Sequence, residues 1–427
     1  MNSVKIEGGS EIKGSVRISG NKNAVLPMIA ATLLTDDEMI LNNVPDILDV
    51  RTMLDIAVAL GAEYDFSNNR LVISNRKVDK SEISRELCNK NRTSILFAAP
   101  LLARFGKATL YPPGGDVIGR RRLDGHIYGL KTLGASINSE NCYDFTAANG
   151  LCGRELFLDE ASVTATEQIL MAAVLAKGTT TLYNAACEPH VVDLADMLNK
   201  MGAKISGQGG NVITIEGVDS LHGCEYTVVS DHIEGASFIS LAVANNSEIT
   251  IEGVTTRHFW MTRRVFERLG VQIDLHPENN TIFVPGNQNP CVKKDFDGQI
   301  PCISDGTWPQ YPSDMMSCTI VAATQVQGTV LFFEKMFESR IYFVDRLIAM
   351  GANAIVCDPH RVVISGKSQL YAANLPSPDI RAGMAMIIAG SCAKGVSQIN
   401  NINVTYRGYE RLLEKLQALN VKIYPAD

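Results

Sequence analysis

The chain has 427 residues, of which 46% are hydrophobic and 20% charged, too long for one ordinary domain and apolar enough to bury two cores. Its 39 basic and 46 acidic side chains give a net charge of −7, which argues against a nucleic-acid partner bound through counterion release. No apolar run reaches the roughly 18 residues of a membrane span, the N-terminus lacks the pattern of a signal peptide, and the ten cysteines form no CxxC pair or metal-ligand spacing, so they read as reduced thiols of a cytoplasmic protein.

In chain order, the sequence predicts one unit repeated six times. Each copy carries a small apolar helix, over 26–34, 94–104, 165–176, 233–244, 315–323 and 382–393. Ala, Ile, Leu, Met and Val cover these helices on nearly all sides, which predicts burial rather than one-sided surface packing. Strands are expected after them at 108–111, 180–183, 249–251 and 329–333. A second helix in each copy ends in Leu or Met and then Gly61, Gly134, Gly202, Gly270, Gly351 or Asn420, at intervals of 68 to 81 residues. Glycine or asparagine there supplies a left-handed cap that closes the helix ahead of the next strand. The prediction is an α/β repeat protein with three repeats in each of two domains. An open solenoid is the alternative, but no polar capping repeat is visible.

The head of each buried helix is polar. Asp231, Ser313 and Asp379 are expected to be ordinary N-caps. Lys22, Arg92 and Arg381 are not, because a cation in a first turn opposes the helix dipole. Three such placements suggest a bound anion, which helix N-termini also favour. A loop over 112–126 begins Pro112-Pro113-Gly114-Gly115 and adds Asp116, three arginines (Arg120, Arg121, Arg122), Asp124 and His126. Arginine recognises oxyanions through two parallel hydrogen bonds, which lysine cannot. Arg340 and Arg407 are expected to open the outer helices of their repeats, again at the wrong end for a cation.

With these residues in place the chain resembles the enolpyruvyl transferases over about residues 4–423. The resemblance rests on Ile18 to Ala24, Pro113 to Gly119 with Arg121 and Asp124 to His126, Glu188-Pro189, Pro312 to Met315, Glu338 to Arg340, Asp379 to Arg381 and Arg407 to Arg411. It implies a two-domain inside-out α/β barrel of six βαβαββ-type repeats with buried helices. The domains would be 22–229 and a discontinuous 1–21 plus 230–427, joined by a two-strand hinge, open when empty and closed around ligand.

The reaction so implied is addition–elimination. The enolpyruvyl group of phosphoenolpyruvate passes to the 3-hydroxyl of UDP-N-acetylglucosamine with phosphate release, in peptidoglycan precursor synthesis and without metal or organic cofactor. Lys22, Arg121 and Arg407, with Arg92 close by, would hold the phosphate, and Arg340 and Arg381 the carboxylate. Asp314 would take the hydroxyl proton and Asp379 would shuttle protons. Asn23 would contact the sugar, and Asp124, His126, Ser162 and Val163 would complete the nucleotide side. The protein would act as a monomer, with no nucleic-acid or membrane partner. Asp116 stands where most members have a cysteine; it would serve as the general acid and leave the protein insensitive to the thiol-directed epoxide fosfomycin. Glu160, Thr164, His190 and His232 also depart from the family pattern on the acceptor side. The alternatives are the same chemistry on another nucleotide acceptor, such as a nucleoside monophosphate, and a non-catalytic nucleotide- or RNA-binding repeat protein.

Overall fold

The predicted alternation is realised in a computed structural model that describes residues 2–115, 119 and 122–426. Residues 302–366 show the path of one repeat. Strand Cys302–Ser304 leads into a buried helix, and Gly328–Phe333 returns parallel to it, Cys302 opposite Leu331. An outer helix Val344–Ala349 follows, and the hairpin Ala354–Val356 and Arg361–Gly366 completes the sheet, with Phe333 opposite Arg361. Among the described residues there are five four-stranded sheets and one three-stranded sheet. In the three-stranded one, in the order Lys107–Leu110, Tyr143–Thr146, Ser136–Asn138, Glu82 contributes only an isolated parallel bridge to Thr109 where the other repeats have a full strand.

The six buried helices are α1 (Lys22–Ala31), α2 (Ala98–Phe105), α3 (Val163–Ala173), α4 (His232–Ala244), α5 (Ser313–Thr324) and α6 (Ile380–Cys392). All 13 residues of α4 are buried, as a helix apolar on every side requires. Two helices differ from expectation at their ends. The first starts at Lys22 and gives way to a 3-10 turn at Thr32–Leu34, while α2 is preceded by a 3-10 segment Arg92–Phe97. All six outer-helix caps adopt positive φ: 117° at Gly61, 108° at Gly134, 102° at Gly202, 78° at Gly270, 106° at Gly351 and 65° at Asn420.

The chain forms two compact units, each with its own hydrophobic core. One runs from the N-terminus to Ser19 and resumes at Ser230; the other begins at Gly20 and ends at Val229. Strands from distant parts of the chain complete repeats within each unit. Glu225–Thr227 pairs in parallel with Met39–Asn42 in one. In the other, Lys13–Arg17 pairs in parallel with Glu248–Glu252, and Ser3–Glu7 lies antiparallel between Val396–Asn400 and Lys422–Pro425. No helix among the described residues is long and apolar enough to cross a membrane.

Candidate active site

In the unit spanning Gly20 to Val229, Asn21 caps α1 by accepting from the backbone N–H groups of Asn23 and Ala24. Lys22, in the first turn behind it, is buried, and its Nζ lies 2.7 Å from Asp49 Oδ2. Asp49 is the second residue of the outer helix Leu48–Leu60 and is itself buried. The half-buried Asn23 follows on the same turn. Arg92 follows the capping Asn91 and donates from Nη2 to the Arg122 carbonyl at 2.8 Å. The loop stem 112–115 lies against this segment. A Cβ on Gly114 would stand 1.8 Å from the Asn89 carbonyl oxygen, so the chain passes there only as glycine. Asp116 and Arg121 lie outside the described residues.

His126 joins the loop to α3. Its Nδ1 bonds the Gln168 side-chain oxygen and its Nε2 lies 2.9 Å from Thr164 Oγ1. Burial pushes its pKa down to about 4; the hydrogen bond to Gln168 opposes the shift and nearby Arg92 adds to it, so the ring is neutral at pH 7. Ser162 is the N-cap residue of α3 and Val163 its first residue, so the structure groups Ser162, Val163, Thr164 and His126. Asp124, at the start of the helix Asp124–Thr132, and Glu160 are exposed. Glu167 and Glu188 form a further acidic pair. Burial, and then the charge of Glu188, raises the Glu167 carboxyl well above its ordinary range. His190 is buried in the first turn of Pro189–Lys200.

In the other unit, Asp314 lies between two buried arginines. Its Oδ1 accepts from Arg340 Nη2 at 2.9 Å, and its Oδ2 from Arg381 Nη2 at 3.0 Å and Nε at 3.2 Å. Burial disfavours the Arg381 charge, but Asp314, Tyr409 and Asp231 outweigh it and hold the guanidinium pKa above its usual value. Asp379 caps α6 as expected, accepting from the N–H groups of Arg381 and Ala382 at 2.8 and 2.9 Å. Asp231 likewise caps α4. Ser313 does not cap: it is the first residue of α5, and its hydroxyl sits 2.8 Å from both carboxyl oxygens of Glu334. Arg340 does not open the outer helix either, which starts at Val344; Arg340 is in the turn before it. Arg407 ends the 3-10 segment Ile402–Arg407, five residues before Leu412–Ala418. His232 heads α4, edge-on to the rings of Trp308 and His258 at 5.6 and 5.8 Å. Burial, then His258 and Arg381, lower its pKa to about 3.

Sequence reasoning missed Asp49, Gln168 and Glu334. Gln168 left a signal, as a polar residue four positions after Thr164 at the start of the helix's apolar stretch. Asp49 left none, because an acidic residue in a first turn is ordinary.

Three repeats per unit, with cations and carboxylates at the heads of buried helices, define the class: a two-domain inside-out α/β fold of the enolpyruvyl transferase kind. Residues 6–416 match the family model of EPSP synthase (3-phosphoshikimate 1-carboxyvinyltransferase), and the chain belongs to that family. Within it, the chain is 50% identical over 423 residues to the UDP-N-acetylglucosamine 1-carboxyvinyltransferase of Borreliella burgdorferi, covering 99% of both chains. It is 52% identical over 419 residues to the enzyme of the same name from Treponema denticola, covering 98% of both. Among solved structures, the enolpyruvyl transferase NikO from Streptomyces tendae superposes with a TM-score of 0.87 at 22% identity, covering 99% of this chain and 98% of that one. EPSP synthase from Acinetobacter baumannii gives 0.75 at 17%, covering both chains fully. These two likenesses concern the fold alone.

Proposed function

We propose that this protein is an enolpyruvyl transferase that moves the enolpyruvyl group of phosphoenolpyruvate to the 3-hydroxyl of UDP-N-acetylglucosamine, releasing phosphate. It would act in the cytoplasm as a monomer, on these small molecules and without nucleic acid. Its supporting domain division is 22–229 and 1–21 plus 230–427. The acceptor follows from full-length identity near one half to enzymes named for that sugar nucleotide. One observation carries the chemistry: Asp314 shared by Arg340 and Arg381. Two guanidiniums that already hold one carboxylate present the donors a substrate carboxylate needs, and Asp314 itself is then beside the substrate to act as a base.

In this reading Arg340 and Arg381 hold the carboxylate of phosphoenolpyruvate, and Lys22, Arg121 and Arg407, supported by Arg92, hold its phosphate. Asn23 bonds the sugar, and Asp124, His126, Ser162 and Val163 contact the nucleotide. The acceptor oxygen attacks C2 as its proton passes to Asp314, and C3 takes a proton from Asp116. In the second half, the bond from C2 to the phosphate oxygen breaks, C3 gives up a proton with Asp379 in the relay, and the double bond returns. Preorganised cations offset the charge of the tetrahedral intermediate. His126, neutral and with both ring nitrogens engaged by Gln168 and Thr164, supports the head of α3 on the nucleotide side without adding charge.

Asp314→Asn tests the assignment: kcat of the folded protein should fall about 10²- to 10⁴-fold, the usual worth of a positioned base, and the unfolding midpoint should fall as well, because two buried guanidiniums lose their carboxylate. Unchanged kcat would remove Asp314 from the role. With Asp116 in place of a loop thiol, fosfomycin should leave the intact mass unchanged; a covalent adduct on the loop would contradict that expectation.

A further inference from the structure

Behind Arg340 and Asp314 lies a carboxyl pair that the reaction scheme does not use. Glu334 directly follows the strand Gly328–Phe333 and is fully buried, as is Asp305. One Glu334 oxygen accepts from Ser313 Oγ and from the N–H groups of Met336 and Phe337 at 3.2 and 3.1 Å. The other lies 2.8 Å from the same hydroxyl and 3.9 Å from Arg340 Nε, which has no hydrogen-bond partner. Glu334 therefore ties the head of α5, where Asp314 sits, to the turn that carries Arg340. Asp305 accepts from the Lys335 N–H through Oδ1, while its buried Oδ2 lacks a partner unless Glu334 supplies a proton. A hydrogen bond between two carboxyl groups requires such a shared proton.

We propose that Glu334, backed by Asp305, is a positioning residue for this half of the site, and that its charge state decides how much of the Arg340 charge remains for the substrate carboxylate. This rests on the function proposed above. With Glu334 neutral, Arg340 is committed to Asp314 and to phosphoenolpyruvate. Once ionised, Glu334 competes for the guanidinium through the open Nε–H. The charged or titratable groups around it are Asp305, Arg340, Asp314, Lys335 and His360, whose Nδ1 lies 2.7 Å from the Glu334 carbonyl oxygen. Burial first, then the hydrogen bond and charge of Asp305, push the Glu334 carboxyl up to about 8, with Arg340 and Ser313 opposing.

The test is KM for phosphoenolpyruvate from pH 6.5 to 9.5, with UDP-N-acetylglucosamine saturating. In the native protein KM should be flat and then rise above pH 8 by up to about tenfold per unit, as for one competing ionisation, while kcat follows its own profile. Glu334→Gln keeps a hydrogen-bonding side chain without the ionisation, and should be active with a flat KM throughout. Asp305→Asn removes the charge that raises the Glu334 pKa, so the rise should begin at lower pH. A flat native KM, or identical profiles in all three proteins, overturns the proposal. If no acceptor supports turnover, the functional reading fails separately. Calorimetric binding of phosphoenolpyruvate across the same pH range then decides the inference, and no binding at any pH overturns both.

Discussion

A cation in the first turn of a buried helix is unfavourable unless something answers its charge, and for Lys22 and Arg381 the structure shows a carboxylate doing so. Lys22 meets Asp49, and Arg381 meets Asp314. Removing one partner of a buried pair leaves the other uncompensated. Lys22→Ala should therefore lose about 3 kcal/mol of stability in urea unfolding. Adding Asp49→Leu should recover most of that loss without restoring turnover. Recovery of activity in the double variant would show that Lys22 serves only Asp49. Buried histidines set the acid response. His126 and His232 have folded pKa values of about 4 and about 3, below the unfolded value near 6.5. Their stabilisation is fully present above that unfolded value and is lost as pH falls through the folded values. Unfolding at pH 7 and pH 5 should differ by roughly 2 kcal/mol for each of these histidines, and stability that is flat or higher at pH 5 would contradict the buried neutral assignment. The cations at helix heads were legible in the sequence because they break a local rule. Asp49 was not, and the pairing of Arg381 with Asp314 was not either: Asp49 is 27 residues from Lys22 and Asp314 is 67 from Arg381, and only the folded chain brings them together.

At the scale of elements, the recurring Leu or Met before a glycine marks where outer helices stop, and every one of the six caps has positive φ. Their tolerance differs with their surroundings. Gly61 has φ 117°, and an added Cβ would come 2.5 Å from the Lys77 carbonyl oxygen. Asn420, at φ 65°, already shows that a side chain fits its repeat. Gly61→Ala should cost about 2 kcal/mol or more, whereas Asn420→Gly should stay within about 0.5 kcal/mol, since glycine is the usual left-handed residue at a helix C-terminus; equal effects in urea unfolding would show that the caps are not conformationally selected. Helix type and burial were readable because the apolar pattern is strong on all faces. Local detail was not. The 3-10 segment over Arg92–Phe97 and the engagement of Ser313 with Glu334 instead of a cap depend on packing partners that no local window contains. The spacing of basic residues placed Arg340 near a helix start, but the turn that holds it is fixed by Glu334, four residues ahead of the motif Glu338 to Arg340 and outside it.

At the scale of the whole molecule, the sixfold repeat explains how one chain builds two cores from distant segments. The strand Glu225–Thr227 completes the repeat that begins at α1, and Lys13–Arg17 completes the one that begins at α4. This permuted closure was partly legible, since the repeat count and spacing were plain. The strand exchange itself was not, because a three-residue strand such as Glu225–Thr227 and a five-residue one with a single buried position, Lys13–Arg17, carry little periodic signal. Each unit has its own polar cluster: Lys22, Arg92 and the neutral His126 in one, Asp314, Arg340 and Arg381 in the other. The central claim, enolpyruvyl transfer to a sugar nucleotide, is tested most directly by phosphate release from phosphoenolpyruvate. The purified protein would be assayed with UDP-N-acetylglucosamine and, in parallel, with UMP, UDP-glucose and shikimate 3-phosphate. The account predicts release with UDP-N-acetylglucosamine alone, with a product heavier than the acceptor by one enolpyruvyl group; release only with another acceptor, or with none, would contradict it.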